Sequence, residues 1–64
     1  MDVGAEVEVR VAGVWTPGIV IDRYVSPIEA GAIATIKFDD GTVTEMSVPE
    51  DPAAPVADLR LLSG

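Results

Sequence analysis

From Ala5 onward apolar residues fall at every second position: Val7, Val9 and Val11 alternate with Glu6, Glu8 and Arg10. Period two marks a strand with one buried and one wet face, so Ala5 to Val11 is read as the first strand. Its charged side gives solubility and blocks edge pairing. Met1 to Gly4 reads as a loose lead-in and Ala12-Gly13-Val14 as a short connection. Trp15-Thr16-Pro17-Gly18 reads as an irregular edge, because Pro17 has no N–H for a ladder and Gly18 suits a bulge or sharp bend. A second strand runs from Ile19 to Tyr24; Ile19, Val20 and Ile21 are consecutive apolar residues, so periodicity leaves its buried face open. Val25 to Ala32, punctuated by Ser26-Pro27 and Gly31, is a loop, and Glu29 to Ala32 is too short for an independent helix.

Ile33 to Phe38 forms the third strand, with Ala34, Ile36 and Phe38 on one face and Ile33, Thr35 and Lys37 on the other. In the fourth, Thr42 to Val48, Thr44, Met46 and Val48 alternate with Val43, Glu45 and Ser47, and Pro49 ends the run. Asp39-Asp40-Gly41 between these strands is a strong hairpin signal. Asp40-Gly41 suits a type I′ turn, in which both central residues have positive φ. Residues 49–55 form a proline-rich acidic loop, a stiffened connection with some polyproline character. Val56 to Leu59 reads as one helical turn, and Arg60-Leu61-Leu62 as a short fifth strand. The elements add up to an all-β, small, five-stranded, strongly bent antiparallel barrel with a helical turn before the last strand.

Sixty-four residues hold one domain, spanning 1–64, and a hydrophobic fraction of 48% suffices for a small core. The chain has no cysteine and no histidine, which excludes disulfides, thiol nucleophiles, His/Cys zinc sites and imidazole-based triads. Ser26, Ser47 and Ser63 therefore lack a base, and no glycine-rich phosphate cradle is present. Turn formation accounts for the adjacent carboxylates Asp39 and Asp40 without a metal or acid–base role. The reading is non-enzymatic, with no cofactor and no metal. No basic stretch followed by an apolar run opens the chain, and no apolar run approaches the roughly 20 residues of a membrane helix.

The net charge of −7 changes the choice of partner. Arg10, Arg23, Lys37 and Arg60 are scattered along the chain, so it offers no basic stripe for phosphates, and neither nucleic acid nor membrane is expected as a partner. An acidic surface attracts basic protein segments instead. The expected setting is intracellular, or a virion if the source is a phage.

The ordered set Gly4-Ala5-Glu6-Val7, Trp15-Thr16-Pro17-Gly18-Ile19-Val20, Ile36-Lys37-Phe38-Asp39-Asp40-Gly41 and Asp58-Leu59-Arg60 resembles Tudor and agenet-type domains of the SH3-like barrel class. The resemblance covers nearly the whole chain. It implies recognition of methylated lysine or arginine by an aromatic cage, through cation–π attraction and contact with the methyl groups. Trp15 stands where the family often places one cage wall and Phe38 at another. Asp39 or Asp40 would supply the accompanying carboxylate, and Tyr24 completes the candidate set. The chain departs from the pattern at Val9 to Val11 and at Thr42, where further cage aromatics are often found. Core packing is the alternative role for Trp15 and Phe38. The resemblance implies a partner-binding surface of Trp15, Tyr24, Phe38, Asp39 and Asp40 that takes a basic or cationic protein segment. The alternative is a small structural protein that docks on a larger complex, as a virion decoration or accessory subunit.

Overall fold

The alternation read from the sequence builds one antiparallel sheet. Its strands are β1 (Glu6–Val11), β2 (Val14–Val25), β3 (Ala32–Phe38), β4 (Val43–Val48) and β5 (Leu59–Leu61), in the order β4-β3-β2-β1-β5. The computed structural model describes residues 2–28, 31–51 and 53–62, and among these there is no helix. The expectations placed on Glu29, Ala30, Pro52 and Ser63 lie outside the described residues.

Every strand gives its inward positions to one core: Val7 and Val9 from β1, Val20 from β2, Ala32, Ala34 and Ile36 from β3, Val48 from β4 and Leu59 from β5. Val7, Val20 and Ile36 are fully buried, each contributing about 1.5–3 kcal/mol of apolar burial. Phe38, Met46, Ala5 and Val56 pack against this cluster from its margins. The face of the second strand that periodicity left open is now assigned. Val20 points inward opposite Ile36, whereas Ile19 and Ile21 are exposed.

Four local features differ from the sequence-based expectation. First, β2 begins at Val14, and Pro17 lies inside the ladder opposite Glu8. A two-residue hairpin loop closes on a hydrogen-bonded pair, here Val11–Val14, and bonded and unbonded pairs alternate beyond it. Glu8–Pro17 is an unbonded pair, so Pro17 withholds no N–H from β1. On its other flank β3 has ended at Phe38, opposite Gly18.

Second, the irregularity in β2 falls at Ile21, where the register shifts between Val20 and Asp22, and not at Gly18. Gly18 serves close approach. A Cβ there would lie 2.8 Å from Ile36 Cγ2, 3.0 Å from the Lys37 carbonyl oxygen and 3.2 Å from Phe38 Cδ1.

Third, the β3–β4 turn is not type I′. Gly41 alone has positive φ (89°) there; its N–H donates to the Phe38 carbonyl at 2.9 Å, and the Phe38 N–H donates to the Thr42 carbonyl at 2.8 Å. This is a three-residue loop, in which a turn over Asp39-Asp40 is closed by a left-handed glycine. The tight turn with two positive φ values lies between β1 and β2 instead, at Ala12 (50°) and Gly13 (80°).

Fourth, Val56 to Leu59 is a β-turn, not a helical turn. The Leu59 N–H meets the Val56 carbonyl at 3.5 Å, and the two residues form an isolated bridge. The backbone here is drawn into the sheet, because the Asp58 carbonyl accepts from Arg10 N–H at 2.8 Å and the Leu62 N–H donates to the Glu6 carbonyl at 2.9 Å. Pairing with β1 satisfies groups that a single helical turn would leave open.

Candidate functional site: the outer face around Trp15

The pairing of β1 with β2 sets Trp15 opposite Arg10, and Pro17 opposite Glu8. Paired residues share a face of the sheet. Val7 and Val9 point into the core, so Glu8, Arg10, Trp15 and Pro17 stand on the outer face. On the other flank of β1, Arg60 pairs with Glu8 and joins them.

These side chains interlock. Arg60 Nε donates to Glu8 Oε1 at 2.8 Å. The Arg60 guanidinium carbon then lies 4.1 Å from the centroid of the Trp15 ring, and that of Arg10 lies 6.0 Å away. A guanidinium over an indole face is held by the ring quadrupole and by stacking of two flat groups. The exposed Glu8–Arg60 pair adds little energy by itself, but it fixes the orientation in which Arg60 meets the ring. Trp15 is half-buried, and on this outer face its cover is a cation of its own chain.

The remaining sequence-derived candidates do not converge on Trp15. Phe38 pairs with Gly18 on the inner face and packs, half-buried, against the core. It occupies the structural alternative, on the opposite face of the sheet from Trp15. Tyr24 lies near the far end of β2, exposed, with its hydroxyl donating to Glu45 Oε2 at 3.3 Å. Partial burial, then the neighbouring Glu45 carboxylate, raise the Tyr24 pKa. Asp39 and Asp40 follow Phe38, and the Gly18–Phe38 register puts their turn at the same end of β2 as Trp15. Asp40 is committed to that turn: its Oδ1 accepts from the Thr42 N–H at 3.0 Å and from the Thr42 hydroxyl at 2.6 Å. The hydroxyl bond, then the backbone bond, hold its carboxyl below the usual carboxylate range. Asp39 is exposed.

Sequence reasoning missed Arg60 as a site residue and assigned Glu8 and Arg10 to solubility and to blocking edge pairing. The outward position of Glu8 and Arg10 was legible in the alternation of β1. Their meeting with Arg60 depends on the β1–β5 register, which pairs residues 52 positions apart.

Among the described residues no group of three or more His, Cys, Asp or Glu side chains could hold a metal ion, and no helix is long and apolar enough to cross a membrane. Comparison with known protein families, curated proteins and solved structures finds no match to this chain.

Proposed function

We propose that the chain is a non-enzymatic protein-binding domain, a Tudor-like member of the SH3-like barrel class, which takes a basic or cationic segment on the outer face around Trp15. The barrel reading is supported by the strand order, by the register shift in β2 at Ile21, a kind of irregularity that bends strands, and by the return of the short β5 onto β1. The observation that carries the functional reading is the guanidinium 4.1 Å from the Trp15 ring. The ring face accommodates a cation, Glu8 stands beside it as the carboxylate, and the Asp39-Asp40 turn adds negative charge at the same end of the sheet.

A partner's arginine or methylated lysine binds by taking the place of Arg60. Because one cation is exchanged for another on a single ring, binding is weak in the free domain. Arg60→Ala uncovers the ring and releases Glu8, so it tightens binding; Trp15→Ala abolishes it. The measurement is quenching or shift of Trp15 fluorescence on titration with a basic peptide, in trimethyllysine and unmodified forms. Fluorescence that stays unchanged by either peptide, in the wild type and in Arg60→Ala alike, would refute the reading.

One observation favours a second reading, a structural protein docked on a larger assembly. Ile19 and Val43 are exposed on the outer face on either side of Lys37, at 44% and 54% of their full surface. In that case Ile19→Asp and Val43→Asp release the protein from a complex isolated from its native source, and Trp15→Ala does not.

A further inference from the structure

Where the connection from β4 folds back towards β5, it encloses a groove of about 360 Å³, floored by Val48, Ala54, Val56, Leu59 and Leu61. That volume lies within the range of small-ligand sites, roughly 300–1,000 Å³. Leu59 of its floor belongs to the core, and Arg60 borders the groove as well, although its guanidinium carbon lies 4.1 Å from the Trp15 ring on the outer face.

Arg23 stands in the wall of this groove. It pairs with the buried Ala34 and is half-buried, an inward-facing cation at the end of the sheet. Its Nη2 donates to the Pro49 carbonyl at 3.3 Å and to the Glu50 carbonyl, tying down the start of the loop. Its Nε is buried and has no acceptor among the described residues. The Arg23 backbone N–H donates to Asp22 Oδ1 at 2.9 Å, but among the described residues its guanidinium meets no carboxylate; the ion pair they contain is Glu8–Arg60. Asp51, also in the lining, turns its Oδ1 to the Ala53 N–H at 2.9 Å and so serves its own loop. A half-buried guanidinium with no acceptor for its Nε and no counter-ion among the described residues is costly, and it sits beside an apolar groove.

We propose that this groove is a second binding site, and that it takes the carboxyl terminus of a partner polypeptide ending in apolar residues. The last side chains enter the groove and the α-carboxylate becomes the counter-ion of Arg23. A chain end fits better than an internal acidic residue. It carries its carboxylate on the same carbon as an apolar side chain, whereas an internal acidic residue brings continuing backbone on both sides whose polar groups also need partners. The site borders the Trp15 face at Arg60, but the proposal rests on Arg23 and the apolar floor and not on the reading of that face.

The test is a titration of the isotope-labelled protein with the peptide acid acetyl-Ala-Leu-Val and with its carboxyl-terminal amide, followed through backbone amide shifts. The acid should give saturable shifts at Val48, Ala54, Val56 and Leu61, and the amide should bind at least about tenfold more weakly, the loss of one charge-assisted contact. Arg23→Gln should reduce the acid to the level of the amide. That variant also loosens the loop, so Ala54→Trp provides a second arm: it fills the groove, leaves the Arg23 bonds in place and should abolish binding. Equal affinity of acid and amide, shifts centred on Trp15 instead of the groove, absence of binding, or binding that survives Ala54→Trp would each overturn the proposal.

Discussion

The hairpins β1–β2 and β3–β4 reverse the chain by opposite means. Between β1 and β2 the reversal uses Ala12 and Gly13, both at positive φ. Ala12 carries a Cβ in the left-handed region, where a non-glycine residue costs roughly 1–2 kcal/mol. No side chain of that turn offers an acceptor to offset the strain, so the flanking ladder imposes the geometry. Between β3 and β4 only Gly41 takes positive φ, and Asp40 braces the loop with two hydrogen bonds to Thr42. One turn is held by its strands; the other is written into its own residues. A strong local signal therefore locates a reversal, whereas a weak one can hide a tighter reversal wherever the strands on both sides are strong.

The two hairpins meet at Gly18, which pairs with Val7 in the first and with Phe38 in the second. The largest expected effect lies there. A methyl group at Gly18 would meet Ile36 Cγ2 at 2.8 Å and main-chain oxygen at 3.0 Å, so β2 and β3 would have to part. Gly18→Ala should cost about 2–3 kcal/mol, near the upper end of overpacking, and Gly18→Val should leave the chain unfolded. Urea denaturation reads the first and circular dichroism the second. A Gly18→Ala variant with an unchanged midpoint would mean that the hairpins do not press together at this point.

The turns themselves come next. Nothing lies within 4 Å of a Cβ built on Gly13 or on Gly41, so a side chain at either meets only the backbone penalty. Valine at Gly41 should cost more than about 1 kcal/mol, since a β-branched residue resists positive φ. Ala12→Asn should move the other way and stabilise by about 0.5–1 kcal/mol, because asparagine enters the left-handed region more readily than alanine. Opposite signs in urea midpoints would establish the contrast between the turns; destabilisation by Ala12→Asn would remove it.

The same contrast explains what was legible in the sequence. The alternation of Val7, Val9 and Val11 against Glu6, Glu8 and Arg10 placed β1 and both its faces. The positions Ala34, Ile36 and Phe38 did the same for β3, because one buried face enforces period two. The full length of β2 was hidden by Pro17, since whether a proline breaks a strand depends on which neighbour its nitrogen faces, and that is a property of the register. The true function of Gly18 depends on Ile36 and Phe38, which approach it from another strand. The Val56–Leu59 turn was read as helical because the β1 partner of its Asp58 carbonyl, the Arg10 N–H, is remote in sequence. For the candidate site, Trp15 and the Asp39-Asp40 turn lie at the same end of β2, a grouping that only the resemblance offered at the level of sequence. The cation over the ring was invisible, because Arg60 reaches Trp15 only after β5 pairs with β1.

The smallest effect separates the two turns by acidity. Asp40 titrates below the ordinary carboxylate value of 3.8 because its charged form accepts the Thr42 hydroxyl and N–H. A carboxyl whose folded pKa is depressed adds stability above its unfolded pKa and loses it as pH falls through the folded one. The contribution of ionised Asp40 to the β3–β4 turn is thus complete only well above the unfolded value of about 3.9 and is lost progressively as pH falls through the folded one. The Ala12-Gly13 turn contains no titratable group, so its contribution stays constant across that window. Proton titration of Asp40 by side-chain carbonyl NMR should give a midpoint below 3.8, returning towards it in Thr42→Val, which removes the hydroxyl donor while keeping the N–H. Acid should also broaden the amides of Asp39 to Thr42 before those of Val11 to Val14. The reverse order would show that the strands, and not Asp40, hold the second turn as they hold the first.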